Sequence, residues 1–315
     1  MSNVRWFRLT VVFWFCITAS LIASAAEAQK HLVVLMTDFG HLDDAVAICK
    51  GVMISVDPEV RVVDLLQDVT PFSISDGARF LAGTAPYYPP GTVFVVVIDP
   101  GVGSKRKVIV ARSNKGQYFV LPDNGLLTLV QDHDGIEEVH VIENPKWMIG
   151  AGISSTFHGR DIFSPAGAHV ARGENIKDAG PEVKVSELVR LQLPQVKEDE
   201  HGITAVVFAT DGPYGNVITN IAREQFATLG YSLGDQVKFK LGDRELQIPF
   251  EKTFSDVAMG QPLFYIDSRG RLGLALNQGD FAKALQRDTA GDDCDSEKTV
   301  KENTEGGEHG GHGGF

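Results

Sequence analysis

The chain of 315 residues is 43% hydrophobic and 22% charged, which suits a globular protein large enough for two domains. Lysine and arginine total 29 against 41 aspartate and glutamate residues, so the formal net charge is −12. This acidic balance argues against nucleic-acid binding, because that affinity comes largely from neutralising phosphates. Three cysteines are too few for a disulfide framework, so the fold must depend on its core.

The N-terminus has the layout of a secretory signal. Arg5 and Arg8 precede an uncharged apolar run over 9–26, and an Ala-Glu-Ala sequence ends at Ala28. The alternative is a membrane anchor, but the run is slightly short for a span and contains several polar residues. We therefore predict a signal peptide over 1–28, export to the periplasm or the medium, and no stable membrane insertion after cleavage.

Strand-like and helix-like segments alternate after the signal. The strand-like segments are 31–37, 60–66 and 93–98. Continuous apolar strands of this kind are expected to be buried on both faces. Helices are predicted over 43–56 and 75–85, and the buried face of the first consists of Val46, Cys49 and Met53. This order predicts an α/β N-terminal domain, 29–190, with a largely parallel sheet covered by helices.

The pattern changes within a polar stretch between residues 173 and 200. The later strand-like segments are 203–209, 237–241, 245–248, 263–266 and 272–276. Short strands separated by turns predict a smaller antiparallel β-barrel or sandwich over 191–288. The last segment, 289–315, is acidic and then rich in glycine and histidine, which predicts a disordered tail.

Carboxylates follow two of the predicted strands. Ligands bind at the carboxyl ends of parallel strands, so Asp38 is well placed to accept hydrogen bonds from a ribose diol. Alternatively, Asp38 is a turn residue and Asp43 caps the next helix. Asp99 begins a glycine-punctuated loop in which Arg106 is near enough to pair with it. For this pair, a structural role and a catalytic role are equally open.

Three further segments carry polar residues. His158, Arg160 and Asp161 lie within four positions just before a predicted helix. A lone histidine is more often structural, but one beside a glycine and a helix start suits an acid, a base or a water-positioning group. In the second domain, 211–216 and 267–270 are turns whose polar side chains hairpin chemistry alone would explain.

Together these segments closely resemble the S-adenosylmethionine hydrolase family, the SAM hydroxide adenosyltransferases, which is related to fluorinating and chlorinating enzymes. The matching motifs are Thr37-Asp38-Phe39-Gly40, Pro122-Asp123-Asn124-Gly125, Phe157-His158-Gly159-Arg160-Asp161, Gly215-Asn216 and Ser268-Arg269. The resemblance implies a parallel-sheet domain joined to a C-terminal β-barrel domain, and a homotrimer with active sites between subunits. It also implies hydrolysis of S-adenosyl-L-methionine to adenosine and L-methionine, without a cofactor or a metal.

The resemblance assigns roles to individual residues. The family's water-holding triad falls on Asp99, Arg106 and His158. The implied substrate-binding residues are Asp38 for the ribose, Phe72 for packing, Asp211, Ser268 and Arg269 for the methionine part, Asn216 for the adenine, and Tyr214. A sulfonium leaves as a neutral thioether, so the leaving group needs neither a general acid nor a metal. The difficult task is to orient and partly deprotonate a water, which an aspartate and a histidine can do.

Hydrolysis is favoured over halogenation, because the halogenating relatives have a tyrosine at the position of Asp99 and an uncharged halide pocket. Two other functions stay open. The segment 38–45 looks like the calcium-binding start of nucleoside hydrolases, although Met36 stands where that family has its leading aspartate. An exported protein that binds adenosyl compounds without turnover would use the same cleft.

Overall fold

The computed structural model describes residues 31–150, 152–200 and 202–285. The predicted signal peptide and the predicted disordered tail lie outside these described residues. The chain divides between Leu193 and Pro194 into two compact units. Within the described ranges, none of the helices has both the length and the apolar character that a membrane span requires.

A six-stranded sheet forms the centre of the first unit. Its strands are β1 (Leu32–Thr37), β2 (Arg61–Leu66), β3 (Val93–Val97), β4 (Val108–Ser113), β5 (Tyr118–Pro122) and β6 (Ile136–Val141). The strand order is β2-β1-β3-β5-β4-β6. The first four strands in this order are parallel, whereas β4 and β6 run antiparallel to their neighbours. The predicted N-terminal sheet dominated by parallel strands is confirmed.

Helices cover both faces of this sheet. They are α1 (Ala45–Val56), α2 (Ile74–Thr84), α3 (Thr128–Asp134) and α4 (Ser164–Ala171), and a π-helical turn, Gly159–Phe163, leads into α4. Successive strand residues point to opposite faces, so Val33 packs in the core beneath α1 and α4, and Val34 in the core beneath α2 and α3. The predicted buried face of α1 is confirmed. The helix begins later than predicted, because the Asp43 carboxylate accepts the N–H of Ala45 and forms a turn before it.

The prediction that every early strand is buried on both faces is wrong for β2. Arg61, Val63 and Asp64 of this strand are exposed. The reason is its position, because β2 lies at one edge of the sheet and pairs only with β1. Apolar composition alone does not reveal which strand lies at an edge.

The second unit is built from antiparallel strands. They are β7 (Lys197–Asp199), β8 (Gly202–Thr204), β9 (Val207–Asp211), β10 (Asn216–Ala222), β11 (Gln236–Leu241), β12 (Arg244–Pro249), β13 (Pro262–Ile266) and β14 (Arg271–Leu276), with a short helix α5 (Arg223–Ala227). Four of them form a sheet in the order β13-β14-β10-β9, while β11 pairs with β12 and β7 with β8. The antiparallel architecture is confirmed, and closure into a barrel stays a prediction.

The strand predicted over 203–209 is two strands. The residues of β8 pair with β7, whereas those of β9 pair with β10. The chain therefore passes from one sheet to another at residues 205–206, and a run of apolar residues gives no sign of this change of partner.

Candidate active site

Asp38 and Asp99 lie at the edge of the six-stranded sheet that is formed by the carboxyl ends of its parallel strands. They follow β1 and β3, which are parallel neighbours, with Thr37 opposite Val97 in the register. A cavity of about 250 Å³ opens at this edge. Its lining includes Asp38, Phe39, Phe72, Asp99, Phe157 and His158.

One arginine joins the residues of the predicted triad. The guanidinium of Arg106 donates to both carboxylate oxygens of Asp99, with Nε 2.5 Å from Oδ1 and Nη2 bonded to Oδ2. The same Nη2 lies 3.2 Å from Nδ1 of His158. The side chains of Asp99 and Arg106 are only 5% and 10% exposed, so this bidentate pair is shielded from solvent. These contacts form an Asp–Arg–His network at the wall of the cavity.

The network determines the protonation of His158. Arginine has no acceptor, so Nδ1 must accept from Arg106 and the proton of the neutral ring lies on Nε2. Burial lowers the pKa of His158, and the charge of Arg106 lowers it further, against the opposing effects of Asp99 and Asp161. His158 is therefore neutral at neutral pH and offers a hydrogen-bond donor. Asp99 is then the group of the network that can accept a proton, whereas the sequence left this capacity open to both Asp99 and His158.

A π-helical turn directly after His158 holds this histidine in place. Within that turn Asp161 is fully buried and its Oδ2 accepts the backbone N–H of Ser154 at 2.7 Å. Arg160 donates to the same carboxylate, with Nε 2.6 Å from Oδ1. Burial alone would raise the pKa of Asp161, but these hydrogen bonds outweigh it and hold the pKa below its usual value. The segment preceding His158 is thus fastened to the turn that follows it.

Aromatic side chains surround the cavity. The backbone N–H of Phe72 donates to Oδ2 of Asp38 at 2.9 Å, and Phe72 has a φ of +66° with a side chain that is 72% exposed. Such a φ is rare for a bulky residue and is seen mainly where surrounding contacts enforce it, often at functional sites. Phe39 and Phe157 pack edge to face with their ring centroids 5.9 Å apart. Phe39 and Phe157 were not predicted as site residues, although each lies in a recognised motif and lines the cavity.

The other predicted site residues lie in two turns of the second unit. Asp211 and Asn216 are paired across β9 and β10, and Asn216 is buried while Tyr214 between them is 69% exposed. Ser268 and Arg269 are exposed in the turn between β13 and β14. The structure thus brings these residues to two hairpin ends.

The pKa of one buried tyrosine responds to carboxylates at both of these turns. Tyr265 is buried, which raises the pKa of its hydroxyl, and the carboxylates of Asp211 and Asp267 raise it further. Its hydroxyl therefore keeps its proton over the physiological pH range and can act as a hydrogen-bond donor. The Asp267 carboxylate accepts the N–H groups of Arg269 and Arg271 at 2.9 and 2.8 Å, so this turn is built as hairpin chemistry predicts. Tyr265 is not recognisable from the sequence as different from the core, because an inward-facing aromatic on a strand has the same pattern as a core residue.

The aspartates of the segment 38–45, which resembles a calcium-binding motif, do not lie together at the cavity. Asp43 and Asp44 are exposed, and the cavity lining that contains Asp38 includes neither of them. Across 31–150, 152–200 and 202–285, no group of three or more histidine, cysteine, aspartate or glutamate side chains is arranged to hold a metal ion.

Two family models match the two halves of the chain. Residues 33–180 match the SAM hydroxide adenosyltransferase N-terminal domain, and residues 205–292 match the C-terminal domain of the same family. The chain belongs to this family. The predicted resemblance is thereby confirmed.

Relatives of this SAM hydroxide adenosyltransferase chain include hydrolases and halogenases. It is 39% identical over 250 residues to the (R)-S-adenosyl-L-methionine hydrolase of Salinispora tropica, covering 79% of this chain and 91% of the relative. It is 31% identical over 279 residues to the fluorinase of Actinopolyspora mzabensis, covering 81% and 93%. A solved structure of a conserved protein from Thermotoga maritima matches with a TM-score of 0.77 at 34% identity, covering 81% of this chain and 96% of that one.

Proposed function

We propose that this protein hydrolyses S-adenosyl-L-methionine to adenosine and L-methionine. The observation that carries the proposal is the partly buried Asp–Arg–His network at the wall of the cavity. Membership of the family, and the hydrolase from Salinispora tropica at 39% identity, support the same activity. The nucleoside hydrolase and non-catalytic binding alternatives have no comparable support.

In the proposed reaction, a water oxygen forms a bond to C5′ of the ribose while the bond from C5′ to the sulfonium breaks. The electron pair of that bond stays on sulfur, which leaves as the neutral thioether of methionine. Asp99 takes the water proton, and the Nε2–H of His158 donates to the water oxygen and orients its lone pair. Arg106 bonds both side chains and fixes their positions relative to each other. Alignment of a nucleophile with the breaking bond can supply much of the acceleration.

The same network favours water over a halide as the nucleophile. A halide ion in this position would meet the carboxylate of Asp99, and two like charges at close range repel strongly away from bulk water. Water gains a proton acceptor from the same carboxylate. This difference supports hydrolysis, although a fluorinase is among the relatives.

The substrate-binding roles follow the same proposal. Asp38 would accept hydrogen bonds from the ribose diol through Oδ1, since Oδ2 already accepts the N–H of Phe72. The remaining proposed contacts are Phe72 for packing, Asp211, Ser268 and Arg269 for the methionine part, and Asn216 for the adenine. Tyr214 is proposed as a further substrate-binding residue. The reaction is proposed to need no cofactor and no metal, because the thioether leaves without assistance.

Assembly and location belong to the proposal as well. We expect a homotrimer with active sites between subunits and a barrel-like C-terminal domain, as the family resemblance implies. The large exposure of Phe72 at the cavity, 72%, and of Leu42, which follows Asp38 by four residues, 103%, is consistent with a covering subunit. We expect export with cleavage after Ala28. Light scattering gives the oligomeric state, and the mass of the mature protein gives the cleavage site.

Product analysis in isotopically labelled water tests the reaction. The purified protein, incubated with S-adenosyl-L-methionine in H₂¹⁸O, should release methionine and adenosine that carries ¹⁸O at the 5′-hydroxyl. Activity should persist with a chelator and disappear in Asp99→Asn. Release of free adenine, or loss of activity with chelator, would support the nucleoside hydrolase alternative. Binding of substrate without any adenosine would refute the hydrolase proposal.

A further inference from the structure

The loop that carries Asp99 and Arg106 crosses over a strand. This β3–β4 loop, residues 98–107, joins two strands that are not neighbours, because β5 lies between them in the sheet. The loop must therefore pass over the carboxyl end of β5. The residues that follow β5 are Asp123 and Asn124, within a recognised motif to which no function is yet assigned.

These two residues bind both ends of the β3–β4 loop. The side-chain Nδ2 of Asn124 donates to the carbonyl oxygen of Ile98 at 2.9 Å, directly before Asp99. The backbone N–H of Asp123 donates to the carbonyl oxygen of Lys107 at 2.9 Å, directly after Arg106. The loop is thus fastened at its first and last residues from beneath.

The bond from Asn124 replaces a missing sheet hydrogen bond. The register between β3 and β5 ends at Val95 and Val120, so β5 offers no strand partner to Ile98. Ile98 is fully buried, and a buried backbone carbonyl needs a donor. The amide of Asn124 is itself oriented, because its Oδ1 accepts the N–H of Leu126 at 3.4 Å. Only a side chain that accepts on one side and donates on the other can do both.

We propose that Asn124 is a positioning residue for the Asp–Arg–His network, acting through the carbonyl of Ile98 to fix the direction in which Asp99 leaves the sheet. This inference rests on the proposed hydrolase function and deepens it. Asp99 must meet both nitrogens of the Arg106 fork and also face the nucleophile. A misplacement of about 1 Å in such a group can lower a rate by about a hundredfold.

The test compares two asparagines with the same bonding pattern. In Asn144, as in Asn124, Oδ1 accepts the N–H of the second following residue and Nδ2 donates to a distant carbonyl, here Asp178 at 2.7 Å. Asn144 does not line the cavity. Asn124→Asp and Asn144→Asp each keep the acceptor and remove the donor. Asn124→Ala and Asn144→Ala are a second, uncharged pair in case Asn124→Asp does not fold.

We expect Asn124→Asp to lower kcat by about ten- to a hundredfold, with KM for S-adenosyl-L-methionine within about threefold of the wild type. Asn144→Asp should keep kcat. Titration of ¹⁵N-labelled histidine by NMR adds a readout that needs no turnover, in which the pKa of His158 rises towards its ordinary value in Asn124→Ala but not in Asn144→Ala. Equal kcat and equal titration in both pairs would overturn the inference. An inactive wild type with the expected titration shift would instead refute the hydrolase function alone.

Discussion

Gly103 lies directly against the backbone of Ser155. A Cβ at position 103 would come 2.3 Å from the carbonyl oxygen of Ser155, and Gly103 has a φ of +78°. The β3–β4 loop thus touches the segment preceding His158 at a point where only a glycine fits. This close approach brings Arg106 within 3.2 Å of the His158 ring.

Gly103→Ala should separate the two segments. The clash is with backbone, so the loop must move away from Ser155, and the bond from Arg106 to His158 should break. We expect kcat to fall by about a hundredfold and the free energy of unfolding to fall by about 1–3 kcal/mol. Steady-state kinetics and urea denaturation measure these changes.

Gly116→Ala is the matched control. Gly116 has a similar φ of +74°, but its Cβ would meet only the side chain of Pro90, at 3.5 Å. The backbone strain is therefore comparable while the steric clash is absent. Full kcat in Gly116→Ala with a loss in Gly103→Ala would isolate the effect of the clash, whereas equal kcat in both would show that this approach is not needed.

Arg106→Lys should disable the network while keeping the positive charge. The fork of Arg106 serves both oxygens of Asp99 and the His158 ring, and a lysine ammonium cannot reproduce this planar geometry. We expect kcat for adenosine formation to fall by about a hundredfold or more. Arg112→Lys, at a half-exposed pair with Glu137, should leave kcat unchanged. Retention of full activity in Arg106→Lys would mean that its charge alone is sufficient.

Much of this site follows from local sequence rules, and part of it does not. The strands β1 and β3 were predicted to be parallel, and the carboxyl ends of parallel strands meet at one edge of a sheet. The common location of Asp38 and Asp99 follows from this rule. The contact between Arg106 and His158 joins residues 52 positions apart, and only the family resemblance predicted it. The contact between Asn124 and Ile98 could not be predicted, because it depends on β5 lying between β3 and β4 in the sheet. The order of strands along the chain does not reveal this arrangement.

The pH dependence of the reaction should report the state of His158. Burial first and Arg106 second hold the pKa of His158 below its ordinary value of about 6.5. Protonation at Nδ1 would remove the acceptor for Arg106, so kcat/KM should fall in acid with a midpoint below about pH 6.5. His158→Gln offers an amide oxygen to Arg106 and an uncharged donor, and should show lower activity without this acid limb.

The same shift has a consequence for stability. The unfolded chain takes up a proton on this histidine near pH 6.5, whereas the folded protein resists it, so acidification below that pH favours unfolding. His158→Gln should be less sensitive over this range. Urea denaturation of both proteins between pH 5 and 8 measures the difference, and an identical acid limb and stability profile in His158→Gln would assign the titration to another group.

Asp161 contributes to stability with the opposite pH dependence. Hydrogen bonds from Arg160 and from the N–H of Ser154 overcome the effect of burial and hold its pKa below the usual value. The unfolded chain therefore binds the proton first as the pH falls. The stabilisation is complete above the unfolded pKa of about 3.9 and is lost as the pH drops through the lower folded value.

Asp161→Asn should weaken both the fold and the reaction. The substitution removes the ion pair with Arg160 and weakens the bond to Ser154, at a cost of about 2 kcal/mol at pH 7, and it loosens the segment that leads to His158. Asp57→Asn is the control, since Asp57 is also buried and paired, with His31 at 2.5 Å. Both variants should lose stability, but only Asp161→Asn should lose kcat. The stability difference between wild type and Asp161→Asn should shrink below about pH 4, and a difference that is constant down to pH 3 would contradict the lowered pKa.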